Sequence, residues 1–394
     1  MPRIISKITK KILPKSRFWL GVSIVVFIGI LGIGGFFGYQ YLSLRGDFAK
    51  IFGRNNEEQN EETPEGKVLS ATYEKKSPIS FLSDNAISPA LSSDGIYVNY
   101  FDTARNTFYQ VPLSGSGRIR ALSKKTFDNV IKVLWSFDKS RAILIEQNPN
   151  TKVVSKSLYV FSDTEYKKLS DNICYLYWKD DKRIIYHYFN PEGSESNFSE
   201  GDADGHSWGK VSDIFVEPVS KLQYLRVYGY TSNNRKLVFS VITKQGGTLF
   251  LLNIATKEIT KVIDGNDFRL SPDGKSFLFE TKNKDGSFIT KIANLDGNIN
   301  PKVEIPTSIN KCYWRKDGTE VFYAVYKKIK NKEKSLSGDE FWKVKVDTGM
   351  QTPLISLEEI EKKYSVREIF VIEKEGVVVF LDNDNGIYKV ELGM

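Results

Sequence analysis

A short turn motif recurs seven times in the sequence, and this repeat constrains the fold more than any other feature. In each copy an apolar strand ends in an aromatic or aliphatic residue, a turn rich in Ser, Asp, Asn, Lys and Gly follows, and a second β-rich strand begins. Successive turns are 39 to 58 residues apart, and they centre on Asp94, Asp138, Asp181, Asn234, Asp273, Asp317 and Glu375. A period in the forties with several short strands per unit is typical of a β-propeller.

Further β-rich segments follow each pair of strands, such as SLYVFS and then YKKLSD in the second copy. One four-stranded blade cannot bury both of its faces, but blades arranged in a circle bury each other. We therefore predict an all-β fold over residues 78–394, a propeller with seven four-stranded antiparallel blades; six or eight blades are the alternatives. The last copy stops at its third strand, and PISFLSDN (Pro78–Asn85) matches a fourth strand in sequence and phase. The N-terminal strand should therefore complete the last blade.

Three of the turns carry a recognisable repeat sequence. SPDGK (Ser271–Lys275), SSDG (Ser92–Gly95) and KDG (Lys316–Gly318) resemble the repeats of TolB-like, WD-related bacterial propellers. The resemblance covers Pro78 to Leu392, and the fourth and seventh copies depart from the pattern. It implies a propeller that binds proteins, peptides or glycans.

An apolar run near the N-terminus predicts a membrane anchor. No charged residue occurs between Phe18 and Leu44, which is long enough to cross a hydrocarbon layer of roughly 30 Å as a helix. Seven basic residues and no acidic ones occur in residues 1–45, and six of the seven precede the run, so the N-terminus should stay cytoplasmic. We predict a cytoplasmic basic segment (1–17), a transmembrane helix (18–44), a flexible acidic tether (45–77) and an extracytoplasmic propeller.

The basic excess of the chain belongs to the membrane end. The formal net charge is +8, of which residues 46–394 carry only +1. A domain without a global basic bias is not expected to bind nucleic acid.

An acidic segment in the third copy, PEGSESNFSEGDADGHSWGKV (residues 191–211), is predicted to be a long loop after the second strand. Its oxygen-bearing residues Glu200, Asp202 and Asp204 alternate and precede Gly205, as in the first half of a calcium loop. Val211 stands where the bidentate glutamate would be required, and a solvated acidic loop is the alternative. His206 and Trp208 are candidates for partner contact.

A basic segment in the sixth copy, KKIKNKEK, is predicted to form a loop after the second strand, either solvated or docking an acidic polymer. Its candidate partner-binding residues are Lys327, Lys328, Lys330, Lys332 and Lys334. The helical-looking insert SLEEIEKKY (residues 356–364) follows a fourth strand. Because loops after second and fourth strands share one face of a propeller, the acidic loop, the basic loop and the insert are expected to gather there.

No catalytic constellation is recognisable in the sequence. Two cysteines, Cys174 and Cys312, are too few for a disulfide scaffold or a four-ligand zinc site, and they are predicted to be buried small hydrophobes on opposite sides of the ring. With only two histidines, His187 and His206, no catalytic or cofactor-binding residue is assigned.

These observations favour a non-catalytic binding or scaffolding propeller on the outer side of the plasma membrane. Its partner would be a protein or a cell-envelope polymer; the sequence does not specify its oligomeric state. The main alternative is a glycan-acting or calcium-assisted enzyme with a site at the channel mouth. Paired carboxylates that face the channel would be its signature. A structural subunit of an envelope complex, assembled through Gly34 and Gly38, is a third option.

Overall fold

Seven four-stranded antiparallel sheets make up the part of the chain that the structure, a computed structural model, describes. The described residues are 79–190, 192, 195–214, 224–244, 246–330, 335–360 and 362–392. The predicted basic segment, transmembrane helix and tether lie outside them. Among the described residues, no helix has the length and apolar character needed to cross a membrane.

The first described strand, β1 (Ile79–Ser83), precedes three complete blades. Blade one contains β2 (Ala86–Leu91), β3 (Tyr97–Asp102), β4 (Thr107–Pro112) and β5 (Arg120–Ala121). Blade two contains β6 (Val130–Trp135), β7 (Arg141–Gln147), β8 (Val154–Val160) and β9 (Tyr166–Lys168). Blade three contains β10 (Ile173–Trp178), β11 (Arg183–Asn190), β12 (Glu195–Asp202) and β13 (Trp208–Asp213).

The next three blades repeat the same order. Blade four contains β14 (Tyr224–Tyr230), β15 (Lys236–Thr243), β16 (Gly246–Asn253) and β17 (Ile259–Gly265). Blade five contains β18 (Phe268–Leu270), β19 (Ser276–Lys282), β20 (Phe288–Asn294) and β21 (Ile299–Ile305). Blade six contains β22 (Cys312–Trp314), β23 (Glu320–Lys330), β24 (Ser335–Lys345) and β25 (Gln351–Ile355).

Blade seven is built from both ends of the domain. It contains β26 (Val366–Ile372), β27 (Val377–Asp382), β28 (Ile387–Glu391) and, as its fourth strand, β1. The seven blades and their closure by the N-terminal strand are confirmed.

The core is divided into seven apolar clusters, one at each interface between neighbouring blades. The cluster that closes the ring joins Leu82, Val379 and Ile387 of blade seven to Val98 and Tyr100 of blade one. Since each blade is covered on both faces, its central strands are continuously apolar rather than alternating. All six residues of β27, VVVFLD, are buried.

The turn between first and second strands is held by its own side chains. In blade one the Asp94 carboxylate accepts hydrogen bonds from the Ser92 hydroxyl (2.5 Å) and the Ile96 N–H (3.1 Å), which lower the pKa of Asp94. Gly95 has a φ of +76°, which suits glycine. Serine and aspartate make the equivalent contact in blades two and five, Ser136–Asp138 and Ser271–Asp273. These aspartates are therefore structural.

The antiparallel order gives the propeller two faces. We call the end with the connections from first to second and from third to fourth strands (residues 92–96, 203–207 and their equivalents) the turn face. The opposite end, with the connections from second to third strands and to the next blade (residues 283–287, 356–364 and their equivalents), is the hairpin face.

The prediction that residues 191–211 form a long loop is wrong. Residues 195–202 form β12, and residues 208–211 form most of β13. The EGDADG segment ends β12 and enters the tight connection to β13, on the turn face. Residues 327–330 of the basic segment extend β23 toward the hairpin face, so they lie on the face opposite the EGDADG segment. The insert does follow a fourth strand, but its described residues form turns instead of the expected helix.

Candidate functional site

The central channel is the candidate functional site, and the first strands of the blades line it. First strands of several successive blades contact one another, β2 with β6, β10 with β14 and β22 with β26, which places them innermost. A cavity of about 680 Å³ runs along this channel. Phe137 lies at its turn-face end, and Asn310 and Arg367 lie toward the hairpin face. The volume is in the range of small-molecule and peptide sites.

Three cationic side chains of first strands line the cavity: Lys132, Arg269 and Arg367. Arg269 donates to the backbone carbonyl of Cys312, and Arg367 donates to the amide oxygen of Asn385 at 2.7 Å. Within the described part of the chain, no carboxylate lies within salt-bridge distance of any of the three. The wall therefore has a positive excess.

A neighbouring first-strand arginine shows the contrasting arrangement. Arg226 forms an ion pair with Asp267 at 2.9 Å, which neutralises both groups. The side chain of Glu368 is the only carboxylate among the residues that line the described cavity. The channel cations thus outnumber the acids that could offset them.

Exposed apolar side chains lie beside the channel cations. Ile131 is 50% exposed and Phe137 is 54% exposed, and both line the cavity. Tyr177 also lines it and packs against the backbone of Gly229 in the next blade, where a Cβ would approach the tyrosine ring to 3.3 Å. The channel can therefore offer apolar contact and positive charge to the same ligand.

Indole groups fix the relative position of the first strands. The Trp135 indole N–H donates to the Ser88 carbonyl of the preceding blade at 2.7 Å, and Trp178 donates to Leu134 at 2.9 Å. Trp314 makes the same kind of contact at 3.4 Å. These bonds hold the channel wall at three blade interfaces.

The calcium candidates do not converge on one point. Glu200 accepts hydrogen bonds from Lys179 (2.6 Å) and Tyr230 (3.0 Å) and also contacts Arg183. Asp202 accepts from the Ser207 hydroxyl at 2.6 Å. The Asp204 side chain accepts from the His206 N–H at 3.1 Å. Over the described ranges, no group of three or more His, Cys, Asp or Glu residues is arranged to hold a metal ion.

The two partner candidates of the same segment are both on the surface. The ring of His206 lies 3.1 Å from the carboxylate of Asp204 and is largely exposed. Trp208 begins β13 and is 72% exposed. They lie on the turn face or beside it, away from the basic segment.

The basic candidates begin in a two-stranded ribbon that extends blade six. Lys327 pairs with Gly338 and Lys328 with Ser337, beyond the four-stranded part of the blade. The Lys327 ammonium lies 3.5 Å from the Glu340 carboxylate and 5.4 Å from the centre of the Trp342 ring. Lys330 ends β23; its side chain, and the residues Lys332 and Lys334, lie outside the description.

The histidine and cysteine side chains of the blade interior are not assembled into a site. His187 is buried and contacts the Ser196 hydroxyl through Nε2 at 3.1 Å. Both cysteines are free; Cys312 is fully buried, and Cys174 is partly buried. The predicted burial is confirmed for Cys312, whereas Cys174 is only partly buried.

Sequence reasoning missed the channel cations. The repeat locates the first strand of each blade, and Lys132, Arg269 and Arg367 could have been noted as basic residues on or beside it. Which of them reach the channel depends on the register within each strand, which the repeat does not specify.

Comparisons with known proteins support the fold. The chain matches no family model and no curated protein sequence. Among solved structures it is similar to the β-propeller domain of Myceliophteria thermophila Cps50 (Swd1), with 13% identity and a TM-score of 0.51, covering 79% of this chain and 99% of that one. It is also similar to an oligogalacturonate lyase from Vibrio parahaemolyticus, with 10% identity and a TM-score of 0.52, covering 79% and 90%.

TolB from Acinetobacter baumannii also matches, with 12% identity and a TM-score of 0.40, covering 71% of this chain and 63% of that one. This chain therefore spans less than two thirds of the length of that TolB. At these identities the comparisons show similarity of fold alone.

Proposed function

We propose that this protein is a non-catalytic binding module that takes an anionic peptide segment of a partner protein into its central channel. The module is held on the outer side of the plasma membrane by the predicted transmembrane helix. The observation that carries the proposal is the set of Lys132, Arg269 and Arg367, which line one cavity without a carboxylate partner among the described residues.

Confining like charges in one channel costs free energy. The three first-strand cations and Lys139, which also lines the cavity, repel each other, and the low-dielectric blades reduce the screening by water. A ligand carboxylate that enters the channel would relieve this repulsion and form charge-assisted hydrogen bonds with the guanidinium groups. The channel therefore favours anions over neutral or cationic ligands.

The apolar lining favours a peptide over a purely hydrophilic polymer. Ile131 and Phe137 expose apolar surface next to Lys132. A peptide that carries both acidic and apolar side chains can use both features, whereas an acidic polysaccharide would use only the charges. The paired carboxylates expected of the alternative, a glycan-acting enzyme, would have to come from outside the described cavity lining, which has the single acid Glu368.

Photo-crosslinking from inside the channel tests the proposal. A photoreactive amino acid at position 131 of the full chain, activated in intact membranes, should give a protease-sensitive adduct. The same photoreactive residue at position 153, an exposed valine in the connection between β7 and β8, serves as the matched control. The adduct at position 131 should fall at least about tenfold when Lys132→Glu is added, since one charge reversal in a binding site costs 1.4 kcal/mol or more.

The variant Lys284→Glu provides the charge control, because Lys284 lies in an exposed turn of blade five. It should leave crosslinking unchanged. Equal adducts at positions 131 and 153, or an adduct that Lys132→Glu does not reduce, would contradict the proposal. A protease-resistant adduct would identify a polymer in place of a peptide.

A further inference from the structure

A second cavity lies on the face of blade three that is turned toward blade two. It has a volume of about 490 Å³ and is separate from the channel. Its lining includes Ser170 from the connection between the two blades, and Ile173 and Tyr186, which belong to the apolar cluster of that interface. The remaining lining residues are Tyr188, Glu195, Asn197, Ser199, Trp208 and Lys210. We call this cavity the blade-three pocket.

The polarity of the blade-three pocket is not required by the fold. In blade three, Tyr186 pairs across the ladder with Ser199. In blade four, the equivalent pair is Phe239 and Phe250, whose rings stack with their centres 5.5 Å apart. Where blade four fills its interface with two aromatic rings, blade three has a tyrosine and a small hydroxyl, and a cavity is present beside them.

The amide side chain of Asn197 lines this cavity. Asn197 is 8% exposed, and its Oδ1 accepts a hydrogen bond from the Ser199 hydroxyl at 2.7 Å. Its Nδ2 group has no hydrogen-bond partner within the described part of the chain. Because Asn197 lines the pocket, this amide group can donate to a ligand or to water there.

An exposed aromatic ring borders the same cavity and is placed by the backbone. Trp208 pairs with Gly201 of the neighbouring strand. A Cβ at Gly201 would lie 2.5 Å from the Ser207 carbonyl and 2.9 Å from the Trp208 Cβ. Only glycine at position 201 allows β13 to approach this closely, so the tryptophan is positioned by the ladder itself.

We propose that the blade-three pocket binds one or two neutral pyranose residues of a glycan. A pyranose has an apolar C–H face, which packs on aromatic rings, and an equatorial rim of hydroxyl groups, which need donors and acceptors. Trp208, Tyr186 and Tyr188 provide the rings. Asn197 and Ser199 provide the hydrogen-bonding groups, and the volume is in the range of small-ligand sites.

The charges around the pocket specify a neutral sugar. The ammonium of Lys210 is already paired with the Asp213 carboxylate at 2.9 Å. Glu195 is an exposed acid among the lining residues, and it would repel a uronic acid. The ligand class therefore differs from that of the cationic channel, and the inference does not depend on the function proposed for the channel.

Saturation-transfer NMR with the full chain in nanodiscs tests this inference. The probes are N-acetylglucosamine, chitobiose, galactose and lactose as neutral sugars, and galacturonic acid as the acidic counterpart. At least one neutral sugar should receive saturation with a Kd of about 1 mM or tighter. The substitution Trp208→Ala should weaken its binding at least about tenfold, because it removes the stacking surface.

Two further variants make the result specific to the pocket. Tyr326→Ala, which removes another exposed aromatic ring far from the pocket on the blade-six ribbon, should leave sugar binding unchanged. Asn197→Thr, which copies the residue at the equivalent place in blade four, should weaken binding without loss of the fold. No saturation of any neutral sugar, binding of galacturonic acid alone, or binding that Trp208→Ala leaves unchanged would overturn the inference.

Discussion

Ile79 and Val390 are paired across the antiparallel ladder of blade seven, although they belong to opposite ends of the domain. Both side chains are buried in the cluster between blades six and seven. Leu82 of the same N-terminal strand packs in the cluster between blades seven and one. One short strand thus contributes to two of the seven interfaces, and it makes the two ends of the domain depend on each other.

Removal of the N-terminal strand should open the ring. Deleting residues 79–84 exposes the β28 edge and removes Ile79 and Leu82 from two clusters, which should cost about 5 kcal/mol or more. Urea denaturation should show a large loss of stability. A circular permutant with residues 79–84 joined after residue 392 and a new start at Asn85 restores the pairing and should recover the stability. Equal stability of deletion and permutant would contradict this role.

The Trp178 indole should stabilise the interface between blades two and three. Trp178→Phe keeps an aromatic ring but removes the hydrogen bond to the Leu134 carbonyl, with an expected loss of about 1 to 2 kcal/mol. Trp208→Phe, at an exposed position, is the matched control and should be neutral. A urea midpoint equal to that of the wild type for Trp178→Phe would show that the bond contributes nothing.

The Glu200 carboxylate should connect blades three and four. It contacts Lys179 and Arg183 of its own blade and the Tyr230 hydroxyl of the next one. Glu200→Gln leaves the two cations partly uncompensated, and it should cost about 2 kcal/mol. A double-mutant cycle with Tyr230→Phe measures how much of this stabilisation comes from the hydrogen bond between blades three and four. Calcium addition gives a separate test, and calcium-dependent stabilisation would revive the metal hypothesis.

The fold was accessible from sequence because its repeat is local. Each turn needs residues that bond their own backbone or adopt a positive φ, as Ser92, Asp94 and Gly95 do, and these types are visible in the sequence. Blade closure was also predictable, since the last copy lacks a strand that Pro78–Asn85 supplies.

The third blade misled the sequence interpretation for a physical reason. The segment ESNFSEGD looks like a polar loop, yet every residue from Glu195 to Asp202 pairs with β11. Its backbone forms the strand through the ladder, while Asn197 and Ser199 keep their polarity because they line a cavity instead of an apolar interface. Polarity there reflects a candidate site, and local pattern cannot distinguish it from a loop.

The residues that line the channel could not be predicted from the sequence, because β-bulges shift the register of the first strands. Register shifts occur between Val130 and Lys132 and between Val366 and Glu368, next to residues that line the cavity. A shift of one residue exchanges the two faces of a strand. Which basic residues reach the channel therefore follows from tertiary structure.

Cys312 should be chemically silent in the folded protein. Burial raises the pKa of its thiol to about 12, so the reactive thiolate is scarce at neutral pH. In a Cys174→Ser background, the remaining thiol should react with a disulfide reagent only in denaturant. Rapid labelling of the folded protein would mean that the interface between blades five and six opens readily.

His187 should make the domain sensitive to mild acid. Burial lowers the pKa of its imidazole to about 4, from an ordinary value near 6.5, so between these values the unfolded chain binds a proton that the folded protein does not. Its contribution to stability is complete above pH 6.5, falls as the pH approaches 4, and levels off below that. The loss should be about 2 to 3 kcal/mol over this window. Because other groups also titrate there, the measurement is the difference in urea stability between wild type and His187→Phe at several pH values. A difference that stays constant from pH 7 to pH 4 would show that His187 is protonated as easily in the folded protein as in the unfolded chain.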